Sequence, residues 1–284
     1  METNLLKSLV NISKSNHLDL TNVKYDSEDA NRIQQVGAGL EVFVRDSFCG
    51  IPGAIANHKK NYEKFFSWLG SKNNPPDAML RSSDAIEIKK HENLKYPNLA
   101  LNSSPPRAIL RHNDSKIKTK CKKAEMTPWV KDYLYALGGI QHNNVKEIIF
   151  CYGDCFVAND EVFQKPLNVI SDSLKKLEGK GIEFQDTNEI GKVKKIDSLG
   201  YSELRIRGMW GLSSPGKIFK NQIEKNGNEE LLIVGIMKKE KFEKFPEEDR
   251  KNLKNNSFNV KHFQASDPND SEKQIDLVLV KYSR

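Results

Sequence analysis

The sequence has no cysteine pair of the CxxC kind and no histidine pair at zinc-ligand spacing, which excludes zinc fingers and thioredoxin-type redox centres. Its four cysteines, Cys49, Cys121, Cys151 and Cys155, read as free thiols of a reducing compartment, with "CYGDC" as two inert thiols at a strand end. Long apolar runs are missing as well. None approaches the ~18 residues that a membrane-spanning helix needs. The N-terminal "METNLLKSLV" lacks the apolar stretch of a secretory signal, so a cytoplasmic protein with no membrane partner is expected. Neither an internal repeat nor a clear linker divides the chain. Arginine is scarce, at 9 of 45 basic residues. A lysine excess can follow from compositional bias alone; the few arginines, whose planar fork suits phosphates and guanine edges, carry more information.

What is present is a chain of 284 residues, 37% hydrophobic, long enough to bury a sizeable core. Its net charge of +7 points to an anionic partner, nucleic acid first. Apolar spacing predicts an amphipathic helix in "METNLLKSLVNISKS" and a second from Ser27 to Phe48, with Ser27 and Asp29 as candidate caps. "VKDYLYALGGI" reads as a strand or helix turning at Gly138 and Gly139, and "VKEIIFCYGDCFVAND" as a buried strand. "DEVFQKPLNVISDSLKKLEG" reads as a helix stopped by Gly179. "SELRIRGMWGL" alternates, with Leu204 and Ile206 on one side and Arg205 and Arg207 on the other. "ELLIVGIM" and "QIDLVLVKYS" are further buried strands, separated by a solvated, mixed-charge helix and loop. The stretch from Lys89 to Trp129 has little periodicity and reads as a long functional loop. Strands alternating with helices indicate the α/β class.

The stretch "NNPPDAMLRSSDAIEIKK", residues 73 to 90, carries the chemistry. Residues 77–80 and 85–89 read as two strands joined by the turn "RSSD". Alternation puts Ile86 and Ile88 on one face of the second strand and Glu87 and Lys89 on the other. A hairpin brings Asp77 beside that polar face, so two carboxylates and an ammonium converge. Such a set suits metal-assisted phosphodiester hydrolysis. Asp77 and Glu87 offer hard oxygen ligands to Mg²⁺, and the Ile88 carbonyl offers another. Lys89 orients or deprotonates the attacking water and offsets charge on the phosphorane, acting as a base only where burial lowers its pKa. Asp84, in the turn, reads as a solvated acid or local acceptor.

At these residues a resemblance enters. "PPDAMLRSSDAIEIKK" resembles the PD-(D/E)xK nuclease signature, with Asp77, Glu87 and Lys89 at its three positions. More narrowly, "NNPPDAML", "DAIEIKK", "LALNSSPP" and "LRIRGMWG" together resemble the NgoPII-like family of type II restriction endonucleases, from about Ala30 to Trp210. The resemblance implies an α/β fold with a restriction-endonuclease-like core, a mixed central sheet flanked by helices. It implies one nuclease domain over residues 1–284, with an N-terminal helical part and a C-terminal DNA-recognition part. It also implies Mg²⁺-dependent double-strand cleavage leaving a 5′-phosphate and a 3′-hydroxyl, a homodimer on a short palindrome such as GGCC, and a matching DNA methyltransferase in the host. In related nucleases an early helix often supplies one more acid, and Glu41 in "GAGLEVFV" is the best match.

Double-stranded DNA needs phosphate contacts for position and base-edge contacts for choice. Arg205, Arg207 and the nearby Trp210 are candidates for either, with surface ion pairs as the alternative use of the arginines. "PPRAILRHNDSKIKTKCKK" offers Arg107, Arg111 and Lys118 in a basic loop, and Asn102, Ser103 and Ser104 are small polar candidates for groove contacts. Two other readings stay open: a repair or structure-directed nuclease with the same site, and a non-catalytic DNA-binding protein with structural acids.

Overall fold

The computed structural model describes residues 2–21, 32–55, 57–71, 74–92, 96–102, 104–179, 182–185, 190–225 and 227–284, without the side chains of residues 32–35. Helices α1 (Leu5–Ser13), α2 (Arg32–Cys49) and α3 (His58–Phe65) precede strands β1 (Phe66–Ser71), β2 (Asn74–Leu80), β3 (Ala85–Glu92), β4 (Leu99–Asn102) and β5 (Ile109–Arg111). After α4 (Thr119–Lys122) come β6 (Val130–Gln141), β7 (Asn144–Tyr152), α5 (Asp160–Lys175), β8 (Glu183–Gln185), β9 (Gly191–Lys194), β10 (Glu203–Ile206) and β11 (Met209–Leu212). The remainder holds α6 (Pro215–Ile218), α7 (Lys220–Ile223), β12 (Leu232–Lys238), α8 (Lys239–Lys244), α9 (Glu247–Asn255), β13 (Asn259–Asp267) and β14 (Asp270–Ser283).

A large mixed sheet in the order β1-β2-β3-β6-β7-β12-β14-β13, with β5 paired to β6, forms the centre. Its β3–β6 and β7–β12 pairings are parallel and the others antiparallel. Buried on both faces, its central strands are near-continuous apolar runs, as in "LIVGIMK" of β12. α1 starts at Asn4, whose side chain accepts a hydrogen bond from the Lys7 amide, and it buries Leu5, Leu6, Leu9, Val10 and Ile12. Together α1 and α2 cover one face of the sheet, where Leu9 meets Gly235 of β12 and Leu40 meets Gly138 of β6. On the other face Phe219, ahead of α7, packs edge-on against Phe263 of β13 at 5.8 Å. The fold is thus a mixed sheet flanked by helices.

Local sequence signals mislead at three places. Gly138 and Gly139 do not turn the chain, since β6 runs through them to Gln141. A Cβ at Gly138 would come within 2.5 Å of both Leu40 methyls, so the missing side chain lets α2 close onto β6. Gly139 lies between His91 of β3 and Glu147 of β7, and across it His91 Nε2 approaches Glu147 Oε1 to 3.5 Å. Next, "SELRIRGMWGL" is two strands in two small sheets: β10 pairs with β9, whereas β11 pairs with β4. Third, the stretch after β3 contains β4, β5 and α4 and buries Leu110, Ile117, Cys121 and Trp129. Ser27 and Asp29 lie outside the described residues.

The contact at Gly138 can be tested directly. Gly138→Ala is expected to cost roughly 1–3 kcal/mol by overpacking, read as a lower urea midpoint with an unchanged slope.

Candidate active site

The hairpin of β2 and β3 is held firmly at its turn and loosely at its open end. At the turn, Leu80 N–H donates to the Asp84 carbonyl at 2.9 Å. Lys131 of β6, 2% exposed in its side chain, donates to the carbonyls of Leu80 (2.7 Å) and Ser83 (3.0 Å) and pairs with Glu125 at 2.8 Å. Asp84 is buried rather than solvated, because its carboxylate accepts from Tyr152 Oη (2.8 Å) and Lys241 Nζ (2.9 Å). Lys241 also reaches Asp132. Strand pairing itself spans just Met79↔Ala85 and Ala78↔Ile86. Past Ala78 the ladder ends, and the Asp77 side chain takes over: its Oδ2 accepts from the Ile88 amide at 2.7 Å. A buried β3 donor is satisfied by a carboxylate in place of a strand carbonyl.

Around that opening the structure gathers Asp77, Glu87, Lys89 and Glu41. Lys89 Nζ lies 2.8 Å from Glu87 Oε1, and Tyr133 of β6 donates its hydroxyl to Glu87 Oε2 at 2.8 Å. Arg45, one helical turn beyond Glu41 on α2, donates from Nη2 to Glu41 Oε2 (3.0 Å) and to the Asp77 carbonyl (2.8 Å). α2 is therefore tied to β2 as well as to the sheet beneath it. Burial, then the charges of Glu87 and Glu41, push the Asp77 carboxyl up to about 8, against smaller opposing effects of the Ile88 amide and Lys89. Burial works against the Lys89 ammonium too, but Glu87, Asp77 and Glu41 outweigh it and hold Lys89 above its usual value. Lys89 is thus a cation in this arrangement and no base.

With Asp77 ionised, the three carboxylates outnumber the Lys89 ammonium and the Arg45 guanidinium, and a divalent cation would relieve the excess and favour that ionised form. The donor set fits Mg²⁺, which takes one or two protein carboxylates and keeps its waters. It does not form a closed cage: among the described residues no group of three or more His, Cys, Asp and Glu side chains is disposed to hold a metal by itself. Ile88 lies between Glu87 and Lys89 in β3 and turns its amide to Asp77.

The other residues singled out by sequence are distributed as follows. Arg107 faces inward: it is 3% exposed, pairs through Nε with Asp114 Oδ2 at 2.8 Å, and lies over the Tyr133 ring. That burial corrects its reading as part of a basic loop open to phosphates. Arg111 on β5 and Lys118, which caps α4, are exposed. Asn102 of β4 is exposed and stands opposite Met209 of β11, and Trp210 stands opposite Leu101, its ring edge-on to Phe163 at 5.5 Å. Ser104 is half-buried, and Ser103 lies outside the described residues. Arg205 is on β10 and Arg207 follows it, both exposed; Glu203 of β10 pairs with Lys192 at 2.6 Å.

Sequence reasoning missed Arg45, Tyr133 and Lys131. For Arg45 a signal exists, since four residues from Glu41 is one helix face. For Tyr133 and Lys131 there is none, because nothing local in β6 reveals that it lies beside β3.

The profile of the family described as NgoPII restriction endonuclease matches residues 3–269. Over 283 residues the chain is 32% identical to the protein named Type II restriction enzyme NgoPII of Neisseria gonorrhoeae, covering 98% of this chain and 99% of that one. No solved structure matches.

Proposed function

Because this chain belongs to the NgoPII restriction endonuclease family, we propose that it is a type II site-specific deoxyribonuclease making Mg²⁺-dependent double-strand breaks at a short palindromic DNA site. The observation that carries the reading is the acid cluster at the fork of β2 and β3, where burial, then the charges of Glu87 and Glu41, push Asp77 up to about 8.

In this reading Asp77 and Glu87 hold the ion, with the Ile88 carbonyl as a further ligand, and Glu41 adds negative charge from α2. A bound divalent ion supplies a more acidic water and takes up charge on the phosphate. Lys89, held as an ammonium, orients the attacking water and offsets charge developing on the phosphoryl oxygens. Arg205, Arg207, Trp210, Arg111, Lys118, Asn102, Ser103 and Ser104 form the proposed DNA-contacting set, from which Arg107 is withdrawn by its burial. A homodimer would place two such centres on the two strands of a palindrome. A methyltransferase acting on the same site would protect host DNA.

Digestion of plasmid DNA by the purified protein tests this, with Mg²⁺ and with EDTA. The expected result is a fixed set of fragments that requires the ion. A smear, or a preference for branched substrates, would favour a structure-directed or repair nuclease. Retardation without cutting would indicate a non-catalytic DNA-binding protein.

A further inference from the structure

We propose that Tyr133 is the positioning residue of the cleavage centre. Its phenol fixes the Glu87 carboxylate by occupying Oε2, so that Oε1 alone is turned toward Lys89 and the ion, and the buried Arg107–Asp114 pair holds the phenol in place. The inference rests on the assignment of Asp77 and Glu87 as metal ligands and goes beyond it, to how one of them is aimed.

The register explains how a residue of β6 reaches a carboxylate of β3. Tyr133 is opposite Ala85 in the parallel pairing, and Glu87 is the next residue of β3 on that face. Side chains in a strand lean along it, so a long phenol passes the small Ala85 and meets Glu87 diagonally. Its Oη lies 2.8 Å from Glu87 Oε2 while Lys89 Nζ lies 2.8 Å from Oε1, so the two carboxylate oxygens have different partners. One oxygen points into the core and the other toward the opening.

The ring has little freedom. Tyr133 is 3% exposed, its amide donates to the Ala108 carbonyl at 3.2 Å, and its ring meets that of Tyr135 edge-on at 5.2 Å. The Arg107 guanidinium lies over the Tyr133 ring, 5.9 Å from the ring centroid. Arg107 is fixed in turn by Asp114 and by its own backbone, since its amide donates to the Tyr135 hydroxyl and its carbonyl accepts from it. Among the described residues the Arg107 Nη2 nitrogen is buried without a hydrogen-bond partner. A guanidinium kept in the core beside the phenol is a costly way to fill space, which argues for an electrostatic purpose. Its cation over the phenol favours the polarisation of the O–H toward Glu87. Packing alone would be met by phenylalanine at 133, because a buried tyrosine differs from it by the one hydroxyl that needs a partner.

The test is Tyr133→Phe, compared with wild type and Asp77→Ala. Partners that orient a metal ligand typically contribute ~10–100-fold in metal affinity or activity. The variant should cleave saturating DNA about 10–100-fold more slowly, require more Mg²⁺ for half-maximal rate, and bind Mn²⁺ correspondingly less tightly by calorimetry. DNA affinity in Ca²⁺ and the melting temperature should stay near those of wild type, and raised Mn²⁺ should restore part of the rate. Wild-type rates with wild-type Mn²⁺ affinity would overturn the proposal. So would a parallel loss of fold, DNA affinity and cleavage, which would make Tyr133 a core residue only. Asp77→Ala separates this from the underlying assignment: if it still cleaves, the metal site itself is misassigned, whereas an inactive Asp77→Ala beside a fully active Tyr133→Phe refutes the role of Tyr133 alone.

Discussion

Asp77→Asn is expected to slow cleavage by roughly a thousandfold or more, about 4 kcal/mol of barrier, while DNA affinity in Ca²⁺ is kept. The change removes the ligand that comes from β2 but keeps a side-chain oxygen to accept from the Ile88 amide, so the strand fork should survive. A second, opposite effect is expected in EDTA, where the variant should be more stable than wild type. Burial first, then Glu87 and Glu41, raise the Asp77 pKa from the usual 3.8 to about 8. Between those values the native state holds a proton that the unfolded chain has released, so wild-type stability falls as pH rises through this window and stays low above it. Asparagine carries no such proton. Its urea midpoint should vary less between pH 5 and pH 8 and exceed that of wild type at pH 8. The gain should be about 2 kcal/mol, allowing for the solvent that reaches Asp77. Cleavage at the wild-type rate, or an undiminished pH slope, would contradict the assignment of Asp77.

Lys131→Met is expected to cost about 1–3 kcal/mol, the range for leaving buried acceptors without their donor. Three acceptors receive that ammonium: the Glu125 carboxylate and the carbonyls of Leu80 and Ser83. Methionine fills much of the volume and satisfies none of them, so the turn loses its support from beneath. Urea unfolding reads the loss, and faster amide exchange at residues 81–84 locates it. A midpoint equal to that of wild type would show that the turn is held by Asp84, Tyr152 and Lys241 alone.

The legible part of the site is the local part. Asp77, Glu87 and Lys89 sit on one hairpin whose alternation can be read from "PPDAMLRSSDAIEIKK", and the structure pairs Lys89 with Glu87 and sets the Asp77 carboxylate on the Ile88 amide between them. The α/β class followed equally from strong apolar runs such as those of β7 and β12. Illegible were the contacts made across strands distant in sequence. Arg107 looked like one more loop cation, because nothing near it reveals that Tyr133 and Asp114 enclose it. Gly138 and Gly139 looked like a turn, because a glycine that admits a neighbour and a glycine that bends a chain are the same letter. Arg205 and Trp210 looked like one strand, because alternation continues through a break that is set by different pairing partners.

The two acids stand on pieces of very different anchorage. Glu87 rides a strand matched to β6 at eight consecutive positions, whereas Asp77 belongs to an arm of β1 and β2 joined to that plate by two rungs near the turn. The gap between the carboxylates is therefore kept on the β2 side by side-chain ties, the Asp77 carboxylate on the Ile88 amide and Arg45 on the Asp77 carbonyl. A cation gripping both would act as a rivet, stiffening a joint that backbone hydrogen bonds leave free.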